Sequence, residues 1–181
     1  MSPAKFGVQI ETYHVEELTL RCYRPVKDQT QAQDESLPVL LWFHGGGFVL
    51  GDVAWEDKRC MQLARDVGCV VVAPAYRLAP EHPYPAALHD GAAALQFLRQ
   101  QAAALAIDAN RLAVGGASAG AGLAAGLVLW LRDQQQPQPC CQVLLYPMLD
   151  DRTVESPTTP AALLRADQSP VLGWSLGENT L

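Results

Sequence analysis

Near the start of the chain every second residue is apolar or β-branched. Val8, Ile10 and Thr12, and then Leu18, Leu20 and Cys22, are each separated by one intervening residue. A period of two puts one set of side chains on one face of a strand, so two strands are predicted, joined as a hairpin across Glu16-Glu17. A polar loop, 27–36, follows. Residues 37–43 then form an unbroken apolar run, the pattern of a strand covered on both faces, and 69–73 repeat it. Between these runs Cys60, Leu63, Ala64 and Val67 recur at i, i+3, i+4 and i+7, which predicts a helix that Gly68 stops.

The same alternation continues. Pro85 stands where a first helical turn tolerates proline, and Leu88, Ala92, Leu95 and Leu98 mark the buried stripe of a helix predicted to run to about residue 104. Residues 111–115 predict a third buried strand, 119–132 a helix, and 140–146 a fourth strand of the same buried type. Strands alternating with helices imply an α/β fold with a mostly parallel sheet, entered by the antiparallel hairpin. After residue 150 the periodicity fades into loop with at most one weakly patterned helix. The expected organisation is a single domain over 1–181, with the hairpin in 1–26, the core in 37–150 and an irregular region in 151–181.

Composition narrows the function classes. Apolar residues make up 49% and charged residues 18%, enough to bury a core and too apolar for a disordered chain. The net charge of −6 is spread along the sequence, and no basic stripe offers itself to phosphates, so no nucleic-acid partner is expected. Cys22, Cys60, Cys69, Cys140 and Cys141 form no C-x-x-C pair and have no histidine pair nearby, which predicts no metal site and no disulfide scaffold, only reduced core thiols. The first eight residues hold one lysine and no apolar run, so no signal peptide is read and a cytoplasmic protein is expected. One stretch competes for a membrane reading: 112–131 is uncharged and carries Gly116/Gly120 and Gly122/Gly126 at G-x-x-x-G spacing. Five of its twenty residues are glycine, each costing about 1 kcal/mol in a helix, and arginines flank both ends. A strand, a turn and a buried helix fit that pattern better, and no membrane span is expected.

Two motifs carry chemistry. Gly116-Ala117-Ser118-Ala119-Gly120 is G-x-S-x-G, set between a predicted buried strand and a helix, the context in which a sharp turn projects a nucleophilic serine. Alone, in so alanine- and glycine-rich a stretch, it reads equally as a packing turn. His44-Gly45-Gly46-Gly47-Phe48 follows the strand 37–43, and three consecutive glycines there let backbone N–H groups turn toward an anion. Alone it also reads as a flexible loop or a phosphate cradle, although it lacks the Gly-Lys-Ser/Thr ending of a P-loop and the spaced glycines of a dinucleotide fold. Together, in this order, the two point to acyl transfer.

With these motifs the chain resembles the hormone-sensitive-lipase-like carboxylesterases of the α/β-hydrolase fold. Four stretches carry the likeness: the triglycine loop, Tyr76-Arg77-Leu78-Ala79-Pro80-Glu81, the serine turn with Gly115 before it, and Leu145-Tyr146-Pro147-Met148-Leu149-Asp150. The resemblance implies Ser118 as nucleophile and the N–H groups of Gly46, Gly47 and Ala119 as the oxyanion hole. It also implies a small apolar ester as substrate and no metal or cofactor. It gives the Tyr76 stretch a loop-ordering role, though a surface turn reads nearly as well, and it makes His44 a loop histidine more readily than a base. Ala117 and Ala75 stand where relatives often carry acidic residues.

The large departure concerns the rest of the triad. The family order is Ser, then Asp or Glu, then His, yet His14, His44, His82 and His89 all precede Ser118. Asp133, Asp150, Asp151 and Asp167 follow it, but none stands where the family places its acid. The expectation is an incomplete esterase, lacking C-terminal strands and inactive or weak, with 151–181 as the start of a lid or loop region. The alternative is a non-catalytic binding module on the same fold. With further strands missing, 140–146 would be an uncharged edge prone to self-association.

Overall fold

A computed structural model describes residues 6–26 and 36–149. Strands β1 (Val8–Val15) and β2 (Leu18–Pro25) form the hairpin, in register from Val8↔Pro25 to Val15↔Leu18. β3 (Leu37–Phe43), a short 3-10 helix (Val53–Glu56) and α1 (Asp57–Val67) follow, then β4 (Val70–Pro74), α2 (Ala86–Gln100), β5 (Ile107–Ala117), α3 (Ala119–Asp133) and β6 (Cys141–Leu145). The six strands lie in the order β1-β2-β4-β3-β5-β6. β2 pairs antiparallel with both β1 and β4, whereas β4, β3, β5 and β6 run parallel.

Alternation along each strand divides the core into two layers. Val39, Leu41 and Phe43 of β3, with Val70 and Val72 of β4, pack against Leu95 and Leu98 of α2 and Leu123 and Leu127 of α3. Leu40 and Trp42, with Val71 and Ala73, pack on the other face with Cys60, Met61 and Ala64 of α1. Burial on both faces is the reason the β3 and β4 segments are continuous apolar runs. The parallel strands all end on one side of the sheet, and the loops that carry chemistry leave from that side.

Several expectations shift in detail. Val67 is 65% exposed, and Met61 takes its place beside Cys60 and Ala64 in the buried face of α1. Gly68 does end that helix, with φ +71°. α2 stops at Gln100, and residues 101–106 turn back through Leu105 N–H to Gln101 C=O and Ile107 N–H to Ala102 C=O. β5 begins at Ile107, four residues before the apolar run, because Ile107 pairs with Leu37 beside charged residues that hid the strand. The stretch 112–131 is divided between β5 and α3, and no helix among the described residues is long and apolar enough to cross a membrane. The strand expected at 140–146 spans Cys141–Leu145 and is not buried: only Leu144 is half-buried, because β6 pairs with β5 alone among the described residues. Residues 151–181, and with them any lid segment, lie outside the described residues.

Candidate active site

Between the end of β5 and the start of α3 there is a single residue, Ser118, with φ 54° and ψ −119°. A non-glycine side chain rarely adopts that left-handed backbone, and such strain persists only where surrounding contacts impose it. Here they do. The Ser118 N–H donates to Leu145 C=O at 2.9 Å, and the Ser118 carbonyl accepts from Ala121, Gly122 and Met148 at 3.1, 3.0 and 3.2 Å. The tightness of the turn explains its glycines. A Cβ on Gly120 would lie 2.2 Å from Phe43 O and 2.3 Å from His44 O, and one on Gly116 would lie 2.4 Å from the Gly120 carbonyl carbon. The Ser118 side chain makes no capping bond to α3 and stands at the helix N-terminus, where the dipole favours negative charge.

The loop after β3 closes over this turn. A Cβ on Gly45 would stand 3.1 Å from Ala117 O and 3.6 Å from the Ser118 Cβ, so the triglycine loop abuts the serine. Gly46 has φ +131°, and its carbonyl accepts from Val49 and Leu50 N–H at 3.2 and 2.9 Å. Among the described residues, the N–H groups of Gly46, Gly47 and Ala119 donate to no backbone carbonyl. For Ala119 this is inherent in being the first residue of a helix.

A buried clamp holds the loop. The Tyr76 ring, 3% exposed, stacks on His44 with centroids 4.2 Å apart, and its hydroxyl donates to His44 C=O at 2.8 Å. His44 Nδ1 lies 2.7 Å from Gly45 O, and since a carbonyl only accepts, Nδ1 carries the proton. Burial pushes the imidazole pKa below its ordinary value, with the Gly45 carbonyl acting in the opposite direction. His44 is thus a neutral structural element of the loop. Arg77, next to Tyr76, is fixed in turn by Asp90 of α2, whose carboxylate accepts from the Arg77 backbone N–H at 2.8 Å and from its guanidinium at 2.7 and 3.0 Å.

Motif reasoning named Ser118, Gly46, Gly47 and Ala119, and all four lie on these two adjoining turns. It missed Asp90, an acid 6% exposed on an otherwise apolar helix face; that anomaly was the available signal. Asp150, Asp151 and Asp167 lie outside the described residues. No cluster of three or more His, Cys, Asp or Glu side chains suited to a metal occurs among the described residues. Two of the five thiols expected in the core, Cys140 and Cys141, are exposed.

A parallel sheet, a strained serine at a strand-to-helix turn and a triglycine loop against it define a hydrolase architecture. The family model described as the alpha/beta hydrolase fold matches residues 40–175, and the chain belongs to that family. Several of the proteins it is similar to carry esterase names. The chain is 40% identical over 152 residues to esterase LipI of Mycobacterium tuberculosis, covering 84% of this chain and 45% of LipI. It is 42% identical over 134 residues to an ethyl acetate hydrolase of Pseudomonas putida, covering 74% of this chain and 41% of that enzyme. Among solved structures it is similar to a bacterial heroin esterase, with TM-score 0.79, 36% identity and coverage of 99% of this chain and 57% of that one. The chain therefore spans about half the length of these relatives.

Proposed function

We propose that this chain carries the nucleophile and the oxyanion-binding groups of a serine carboxylic-ester hydrolase. The observation that supports this most directly is the strained Ser118 turn with the triglycine loop packed against it. In this reading Ser118 Oγ attacks the ester carbonyl while the N–H groups of Gly46, Gly47 and Ala119 hold the developing oxyanion. The C–O bond breaks, the alcohol leaves, and water hydrolyses acyl-Ser118. Each such donor is worth about 100- to 1000-fold in rate. Small, fairly apolar esters suit a site of this kind, in keeping with the ethyl acetate hydrolase among the relatives. Acyl transfer to serine needs no metal or cofactor, and we assign none. Five free cysteines, three of them buried, favour a reducing cytoplasmic setting.

The base is the weak point of residues 1–181. No histidine follows Ser118 in the sequence, and His44, whose loop borders the serine, is committed to Gly45 and Tyr76. Loss of triad function costs on the order of a millionfold in turnover, with about a thousandfold over water remaining. The isolated chain is therefore expected to turn over a nitrophenyl ester very slowly. Mapping the adduct of a fluorophosphonate probe tests the nucleophile: labelling belongs on Ser118, and labelling that persists in Ser118→Ala refutes the assignment. We further assign self-association to β6, where Val143 and Leu145 are 38% and 37% exposed.

A further inference from the structure

The cysteines separate into two populations. Cys22, Cys60 and Cys69 are buried, and burial pushes the Cys22 and Cys69 thiols up to about 11. Cys140 and Cys141, adjacent in sequence, are both exposed and free. Side chains of successive strand residues ordinarily point to opposite faces. Here the strand begins only at Cys141, while Cys140 sits in the bend before it with its N–H bonded to Leu112 C=O at 2.8 Å, so strand alternation does not set the direction of the Cys140 side chain. As neighbours in the chain, both exposed and free, the two thiols can reach one centre between them.

We propose that Cys140 and Cys141 form a vicinal-dithiol site for a soft, thiophilic centre with two open coordination positions, the ligand class being a mono-organo arsenic(III) compound. Thiolate sulfur is the softest donor a protein offers and selects soft centres over hard ones. Two sulfurs and one carbon complete the three-coordinate pyramid of arsenic(III), so no third protein ligand is required. Two S–H bonds and the arsenic–oxygen bond break, two As–S bonds form, and the two protons leave with the oxygen as water. Arsenic stays trivalent, and no oxidant or reductant enters. Burial, and then the neighbouring sulfur, hold the Cys141 thiol above its ordinary pKa. The site lies at the far end of β6 from Leu145, whose carbonyl holds the Ser118 N–H, and it is independent of the esterase reading.

Titration of the folded 181-residue chain with phenylarsine oxide, followed by native mass spectrometry, tests the proposal. The expected product is a single dehydrated adduct that an excess of glutathione does not remove and that 2,3-dimercaptopropanol does. Closing the second bond within the molecule strengthens binding by about a hundredfold or more, so Cys140→Ser and Cys141→Ser should each lose at least that factor and become sensitive to glutathione. Both positions are exposed, and a native count of Ellman-reactive thiols, falling from two to one in each variant, verifies that the variants are folded. Three results would overturn the proposal: an adduct retained by the double variant, an adduct displaced by glutathione in the parent chain, or single variants that bind as tightly as the parent.

Discussion

Replacing Tyr76 by phenylalanine removes one oxygen atom and leaves the packing in place. The ring keeps its stack on His44, at 4.2 Å and 14°, and its edge contact with Phe43 at 6.2 Å. What is lost is the 2.8 Å bond to the His44 carbonyl, which then has no donor in a buried setting. A buried acceptor stripped of its partner costs about 1–3 kcal/mol, so a loss of about 2 kcal/mol is expected. For a chain of this size that lowers Tm by about 4–8 °C. Urea unfolding should show a lower midpoint with an unchanged slope, because the surface exposed on unfolding is the same. Tyr13→Phe is the control: its hydroxyl bonds Glu11 at the surface, and its loss should stay within about 0.5 kcal/mol. Fluorophosphonate labelling of Ser118 should slow in Tyr76→Phe alone, since His44 leads directly into the triglycine loop. A Tyr76→Phe midpoint no lower than that of Tyr13→Phe would mean that this bond does not hold the loop.

Two glycines of α3 should respond in opposite senses. Gly120→Ala drives a Cβ to 2.2 Å from a backbone oxygen and should destabilise by about 3 kcal/mol, whereas Gly126→Ala meets nothing within 4 Å and should stabilise by about 0.5–1 kcal/mol in thermal melts; similar effects at both sites would contradict the close approach. Burial depresses the His44 pKa, so the unfolded chain binds a proton near pH 6.5 that the native chain does not. Stability should therefore fall as pH drops below about 6.5 and level off once pH passes the lower native pKa. An NMR titration with a His44 midpoint at or above 6.5 would reverse that sign. At micromolar concentration the chain should sediment as oligomers through β6, and Val143→Lys should shift it toward monomer. A monomeric parent with slow amide exchange along 141–145 would show the edge to be protected.

Local patterning determined much of this molecule. The apolar run 37–43 is β3 to the residue, the β1–β2 turn falls at Glu16-Glu17, and Ser118 sits where a G-x-S-x-G turn between strand and helix requires. These features were legible because each is set by neighbours a few residues away: side-chain period, helix stops, and glycines where backbones meet. The sequence also carried the two chemical motifs, and with them the family.

Only the tertiary structure decided the rest. Alternating residues announce that a strand will be buried, but not which strands flank it, so the order β2-β4-β3-β5 and the exposed end position of β6 among the described residues came from packing. β6 is mostly apolar, like β4, yet among the described residues it lies at the end of the sheet while β4 lies inside it, so partners rather than composition alone set their burial. Asp90 gripping Arg77, Tyr76 stacked on His44, and the two exposed thiols at 140–141 likewise depend on contacts between segments far apart in the chain or on where a strand happens to begin. Hydrophobic periodicity records the need for burial, and long-range pairing chooses the partner that meets it.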